Sequence, residues 1–258
     1  MVFGLITRVV RVRATLCYAV LLSAVAAVMV RMDPHMQTVL IKQASTNLHN
    51  LSHGRLGTLL GSAFVVDAGP IYYWLPGLVC LLAVVELLWG TGRLVLAFGV
   101  GHIGATLLVA AGLLTAVTLG WVPHSVVHSS DVGMSYGAMA VLGVLTAAIP
   151  QRWRPTWLGW WLSMAAVVAA SGQSFTDMGH VVALLLGMAL ATRFRAPVRW
   201  TVPTAVLCGL GGSFGFLILG DGMVSLLTGT AWGALGALTC GAFARLRMRP
   251  VVPSCQSA

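Results

Sequence analysis

Gly133-Met134-Ser135-Tyr136-Gly137 opens an apolar run that continues to Ile149, and Gly179-His180-Val181-Val182-Ala183 lies at the opening of another that continues to Thr192. Each stretch couples one polar side chain to small residues at the head of a segment otherwise suited to lipid. A hydroxyl is cheap in such a segment, because it can bond its own backbone. An imidazole is not, and it calls for a partner or a task. What surrounds the two stretches decides what kind of helix carries them.

The whole chain has the same character. Of its 258 residues 58% are hydrophobic and 8% charged, with a mean hydropathy of +0.92. Soluble domains carry roughly a quarter charged residues, so this composition describes a polytopic membrane protein. Thirty glycines suit helices that pack backbone to backbone in lipid. The net charge of +9 does not imply nucleic acid, which needs a basic patch on a soluble surface. Here the basic residues sit in short connections between apolar runs, where they encode topology. Five cysteines, Cys17, Cys80, Cys208, Cys240 and Cys255, show neither Cys-x-x-Cys nor histidines at metal spacing, and read as small apolar fillers. No cofactor is expected.

Eight apolar segments follow from the hydropathy: Ala14–Val30, Trp74–Trp89, Leu94–Leu119, Ser135–Ile149, Trp157–Gly172, Met178–Thr192, Val202–Leu219 and Met223–Phe243. Several fall short of the roughly 20 residues that cross a bilayer straight. The first follows Arg8, Arg11 and Arg13 but lacks a small-x-small cleavage site, so it reads as a retained anchor rather than a removed signal.

An inside N-terminus puts Arg93, Arg152, Arg154, Arg193, Arg195, Arg199, Arg245, Arg247 and Arg249 inside with the first three arginines, leaving only Arg31, Lys42 and Arg55 outside. The expectation is a plasma-membrane protein with both termini cytoplasmic. The long connection from Met32 to Tyr73 holds an apolar stretch, Leu56–Val66, too short to span. It is expected to pack against the bundle at the outer leaflet. Trp153, Trp157, Trp160 and Trp161 read as interface anchors.

In this topology the fourth and sixth segments both begin at the outer face, so Ser135 and His180 lie at similar depth within reach of water. A serine hydroxyl with an imidazole base is the minimum set for nucleophilic catalysis. Gly133 and Gly137 let other backbone approach, and Gly179, Ala183 and Gly187 form a stripe at four-residue spacing that brings the sixth segment close to the fourth.

These two segments resemble those of rhomboid intramembrane serine proteases, whose signature is Gly-x-Ser-Gly on one helix and, on a later one, a histidine followed by small residues at four-residue steps. Gly133-Met134-Ser135 and Gly179-His180-Val181-Val182-Ala183 are the matching positions. Glu86-Leu87-Leu88-Trp89-Gly90-Thr91-Gly92-Arg93-Leu94 resembles that family's junction between its second and third helices. The resemblance covers about Leu56 to Thr192. It implies an all-α, six-helix core with two C-terminal transmembrane helices added, a Ser135 nucleophile activated by His180, an acyl-enzyme, and cleavage of a transmembrane substrate near its outer end.

Two departures stand against it. Tyr136 replaces the glycine after the serine, and the family's His-x-x-x-Asn, which helps bind the oxyanion, has no counterpart from Pro70 to Leu82. His53-Gly54-Arg55-Leu56-Gly57 does not supply one. Losing an oxyanion donor costs about 10² to 10³ in rate. A catalytically silent relative that binds transmembrane helices is therefore the competing reading. A transporter would need broken helices or an internal repeat.

The remaining candidates are structural in expectation. His102 needs a partner in mid-membrane, with Glu86 or a backbone carbonyl in view. Asp177 reads as a cap of the sixth helix, or as a third member behind His180, and Glu86 as a partner for Arg93. His35, His49, His53, His124 and His128 have no metal spacing and read as solvated or interfacial. The chain divides into an N-terminal stretch 1–13, a core 14–192, two further helices in 193–244 and a basic tail 245–258. Its partners are a transmembrane protein, as substrate or client, and the lipid bilayer, with no nucleic acid.

Overall fold

The structure is a computed structural model that describes residues 10–65, 71–171, 174–194, 200–220 and 222–247. Arg8, Asp67, Pro70, Gly172, Arg195, Arg199, Asp221, Arg249 and Cys255, and with them parts of the terminal stretches, lie outside the described residues. Among those described there is no strand. The chain runs α1 Arg13–Val30, α2 Pro34–Ala44, α3 Leu48–Ser52 and α4 Thr58–Gly61. It continues with α5 Ile71–Trp89, α6 Thr91–Thr118, α7 Ser135–Val144, α8 Arg154–Ser171, α9 Phe175–Ala191, α10 Val202–Leu219 and α11 Met223–Arg247. The eight long or apolar helices coincide with the eight hydropathy segments, and the fold is the all-α, polytopic one expected.

Four of these helices, α5, α6, α8 and α9, begin about one turn before their apolar segments. In α9 the reason is chemical: its first turn is built around capping residues, which hydropathy does not count. In α9 the Ser174 hydroxyl accepts from Asp177 N at 3.2 Å and the Asp177 carboxylate accepts from Ser174 N at 3.4 Å, a reciprocal capping box. Between α5 and α6 the chain reverses at Gly90, whose φ of +84° lies in the region open to glycine.

Five helices, α1, α5, α6, α10 and α11, are long and apolar enough to cross a membrane. α7 and α9 are shorter. α7, continued by one tight turn to Ala147, rises only about 20 Å at 1.5 Å per residue, against a hydrocarbon core of about 30 Å. A helix that short belongs in the middle of the bundle, and every residue from Tyr136 to Val144 is buried. α5, α6, α9 and α10 surround it. The stripe on α9 works as its spacing suggests. A side chain at Gly187 would run into the backbone of Ala140, and one at Gly143 into the backbone of Leu184 and Met188, so α7 and α9 pack nearly backbone on backbone.

Glu86 and Arg93 are placed differently from expectation. The Glu86 carboxylate accepts from Ala14 N (3.0 Å), Thr15 N (2.9 Å), Thr15 Oγ1 (2.7 Å) and Thr91 Oγ1 (2.7 Å). It caps the N-terminus of α1 from another helix, which has no side-chain cap of its own, and so satisfies orphan donors and the helix dipole together. Arg93 instead lies over the Phe194 ring. The tryptophans also differ. Trp161 is 3% exposed, Trp157 donates to Thr146 Oγ1 at 3.1 Å, and Trp160 packs against Phe216 and Gly233. Only Trp153 stays at the surface, beside Arg152 and Arg245. Gly233 of α11 leaves room for the Trp160 indole, which takes up space between the helices.

The long connection does fold onto the bundle. Thr46 N donates to Asp131 O (2.9 Å), Asp131 N to Ser45 Oγ (2.7 Å) and Gly133 N to Ser62 O (2.8 Å). His102 is buried within a π-helical turn, Val100–Gly104. Its Nε2 lies 3.1 Å from Ser62 Oγ, which in turn accepts from Thr46 Oγ1. His102 thus has a loop serine at Nε2 and the backbone of Leu59 beside its ring, rather than Glu86, which is committed to α1.

Candidate active site

Ser135 is the first residue of α7, and the turn that sets it there depends on Gly133, whose φ of +123° a side chain tolerates poorly. Gly137 is required for a different reason: a Cβ there would occupy the ring of Phe98. Both glycines of the motif therefore have steric work independent of chemistry. Met134 provides no side-chain cap for α7, so the first-turn N–H groups of Ser135 and Tyr136 have no place in the helix ladder and remain free to serve as donors.

His180 is in the second turn of α9 and is 8% exposed. Neither of its ring nitrogens has a hydrogen-bond partner. The Tyr136 ring stands edge-on to it, with centroids 5.4 Å apart and an interplanar angle of 82°. Tyr136 reaches this position because Gly179 has no side chain to block it. The tyrosine that replaces the usual glycine thus crowds the imidazole rather than the serine. Asp177 is occupied by the capping box and makes no hydrogen bond to His180, so the third-member reading is corrected in favour of a cap.

Ser135 and His180 line one cleft of about 630 Å³. Tyr73, Trp74 and Gly77 of α5 form one side, Val132 to Met134 and Thr176 one end, and Leu210, Ser213, Phe214 and Leu217 of α10 the other side. No hydrogen bond joins Ser135 to His180 in this state. The indole N–H of Trp74, which also lines the cleft, is buried without a partner as well, whereas the Tyr136 hydroxyl is directed away toward Asp131 and Thr176. The α5 wall offers an indole where the oxyanion motif would supply histidine and asparagine.

A sequence model of the rhomboid-like protein family matches residues 8–199. The chain belongs to that family. No curated protein and no solved structure matches it. In this rhomboid-like protein the matched region ends before α10, so one wall of the cleft comes from outside the part that defines the family. Sequence reasoning did not find the α10 residues, because nothing in an apolar run announces which neighbour it will face. It also missed that His49, His53 and His128 meet among the loops, with ring centroids 4.3 and 4.8 Å apart. Among the described residues no group of three or more histidine, cysteine or acidic side chains is arranged to hold a metal ion.

Proposed function

We propose that this rhomboid-like protein is an intramembrane serine endopeptidase that cuts transmembrane substrates near their outer ends. The observation that carries this reading is that Ser135 and His180, from two helices starting at the same face, line a single cleft beneath that face. In the proposed reaction His180 takes the Ser135 proton as Oγ attacks the scissile carbonyl, and the oxyanion is held by first-turn N–H groups of α7. His180 then passes its proton to the departing amine. Water repeats the sequence on the acyl-enzyme, releasing the new carboxylate and restoring the serine. Closing Ser135 to His180 is a movement that bound substrate must drive, as catalytic hydrogen bonds often shorten only in the complex.

The same proposal places the protein in the plasma membrane with both termini cytoplasmic, the arrangement favoured by its arginines. It divides the chain into a core 14–192, an added helix pair within 193–244, and flanking stretches 1–13 and 245–258.

A second reading is favoured by the indole on the α5 wall and the unbonded Ser135 and His180: a catalytically silent protein that binds transmembrane helices. Cleavage of a panel of transmembrane peptides in proteoliposomes separates the two. The protease reading expects product from wild type that falls by at least about 10³ in Ser135→Ala and His180→Ala, with fluorophosphonate labelling of wild type alone. Equal inertness of all three proteins, with peptide still bound, selects the second reading.

A further inference from the structure

The start of α8 is crowded with indoles that leave a space between them. Trp153, Trp157, Trp160 and Trp161, with Ala237 of α11 opposite, line an open and almost wholly apolar hollow of about 520 Å³. It shares no residue with the Ser135 cleft. Trp153 stands at the surface just before α8 begins, and Trp161 follows about 12 Å further along the helix at 1.5 Å per residue. The hollow therefore runs inward from the helix end, over the depth at which a phospholipid changes from phosphate to acyl chain.

Its mouth is basic. Arg152 and Arg245, both exposed, place their guanidinium carbons 6.0 and 5.9 Å from the centre of the Trp153 ring, one from the connection before α8 and one from the last turn of α11. The positive end of the α8 dipole lies at the same place. No described acidic residue offsets these charges. Glu86 is spent on the N-terminus of α1, and Asp33, Asp131 and Asp177 sit at the opposite end of the helices.

Apolar within and doubly cationic at the rim, the hollow is complementary to a molecule that is anionic at one end and hydrocarbon at the other. A second protein helix fits it poorly. Helices approach each other in lipid over small residues, and those of α8 and α11 are used on one another, Gly159 against Gly236 and Thr156 against Gly241. Bulky rings are what remain open. Basic side chains beside a pocket between membrane helices are instead suited to anionic headgroups.

We propose that the hollow at the start of α8 binds one anionic phospholipid, its phosphate between Arg152 and Arg245 and an acyl chain over the Trp157 and Trp160 indoles. The bound lipid bridges the family-matched region, which supplies Arg152 and the indoles, to α11, which lies beyond it and supplies Arg245. The site is independent of the proposed peptidase chemistry and stands or falls without it.

Native mass spectrometry of the full-length protein, released from a non-ionic detergent, tests the site with phosphatidylglycerol and phosphatidylcholine of identical chains added in turn. Wild type should retain one phosphatidylglycerol at concentrations at which phosphatidylcholine is lost. An arginine near an anionic headgroup contributes about fivefold to binding, so Arg152→Gln and Arg245→Gln should each weaken retention by about that factor and the double variant by about twenty-five-fold. Both side chains are exposed, so the melting temperature in detergent should not move. Arg93→Gln removes an arginine that lies on Phe194 instead, and should retain the lipid as wild type does. Equal retention of the two lipids by wild type overturns the proposal, as does undiminished retention by the double variant. A loss in Arg93→Gln as large as in the double variant would mean that overall charge holds the lipid, and overturns it too. Displacement of the lipid by soluble glycerol phosphate would reduce the site to an anion contact without the hollow, with the same consequence.

Discussion

Glu86 shows how much one side chain can hold in this fold. Its carboxylate is 2% exposed and accepts four hydrogen bonds from two other segments. Burying a charge is tolerable only with such satisfaction. Glu86→Ala leaves two backbone N–H groups and two hydroxyls to find new acceptors in an apolar setting, at about 1 to 3 kcal/mol for each group left unpaired. The expected outcome is a loss of about 3 kcal/mol or more, read as a lowered melting temperature in detergent, with Glu86→Gln less damaging because it retains an acceptor oxygen. If Glu86→Ala melts with wild type, the cap is not what holds α1 to the junction of α5 and α6. The residue was legible in the sequence as part of a junction motif, yet its partner was not. Arg93 is close in sequence and opposite in charge, whereas Thr15 and the backbone of Ala14 are distant and neutral.

At the scale of elements, the seam between α7 and α9 was the most readable feature and the cleft wall the least. The stripe of Gly179, Ala183 and Gly187 declared itself by period, because close helix packing leaves a repeating signature. Gly187→Val should force the two helices apart against the backbone of Ala140, at a cost of about 3 kcal/mol. Because Ser135 and His180 ride on those two helices, their chemistry should fail with stability. A variant that melts as wild type does and still labels with fluorophosphonate contradicts the packing. The placement of α10 had no comparable signature. Its inward Gly211 and Gly215 and its outward Gly209 look alike in sequence, and only the fold shows which of them meet Leu81 and Leu142. Trp157, Trp160 and Trp161 misled for a related reason. Hydropathy and boundary position suggested headgroups, but Thr146, which accepts from Trp157, and Gly233, which makes room for Trp160, lie on other helices.

For the whole molecule, the two faces differ in kind. One end is held by Glu86 and by arginines over aromatic rings, while the other is a layer of loops joined by hydrogen bonds and by the meeting of His49, His53 and His128. The titration of His49 is displaced downward, by desolvation first and then by His53, His128 and Arg55. A histidine shifted downward by folding favours the folded arrangement in its neutral form. Its contribution is fully present above the ordinary value near 6.5 and is lost as pH falls through the lowered one. The loop layer should therefore loosen on acidification, seen as faster amide hydrogen exchange in residues 45–55 and 124–131 as pH falls from about 7.5 to about 5, an effect largely absent in His49→Ala. Equal exchange in both proteins across that range counts against the histidine contact. None of this was visible in the sequence, where the three histidines have no common spacing and are joined only by the folding of two separate loops.

The close approach of α8 and α11 bears on how the chain is made. Gly159 and Gly236 meet backbone to backbone, and Ser163 and Thr156 lie against Gly236 and Gly241. The surface of α8 that fits this contact carries nothing else suited to it, so α8 enters the bilayer with its mate still unsynthesised. During that interval the face of Thr156, Gly159, Trp160 and Ser163 is without its mate. The protein's most intimate contact is thus among its last to form, and its biogenesis includes a period in which α8 depends on lipid or an insertion factor for shelter.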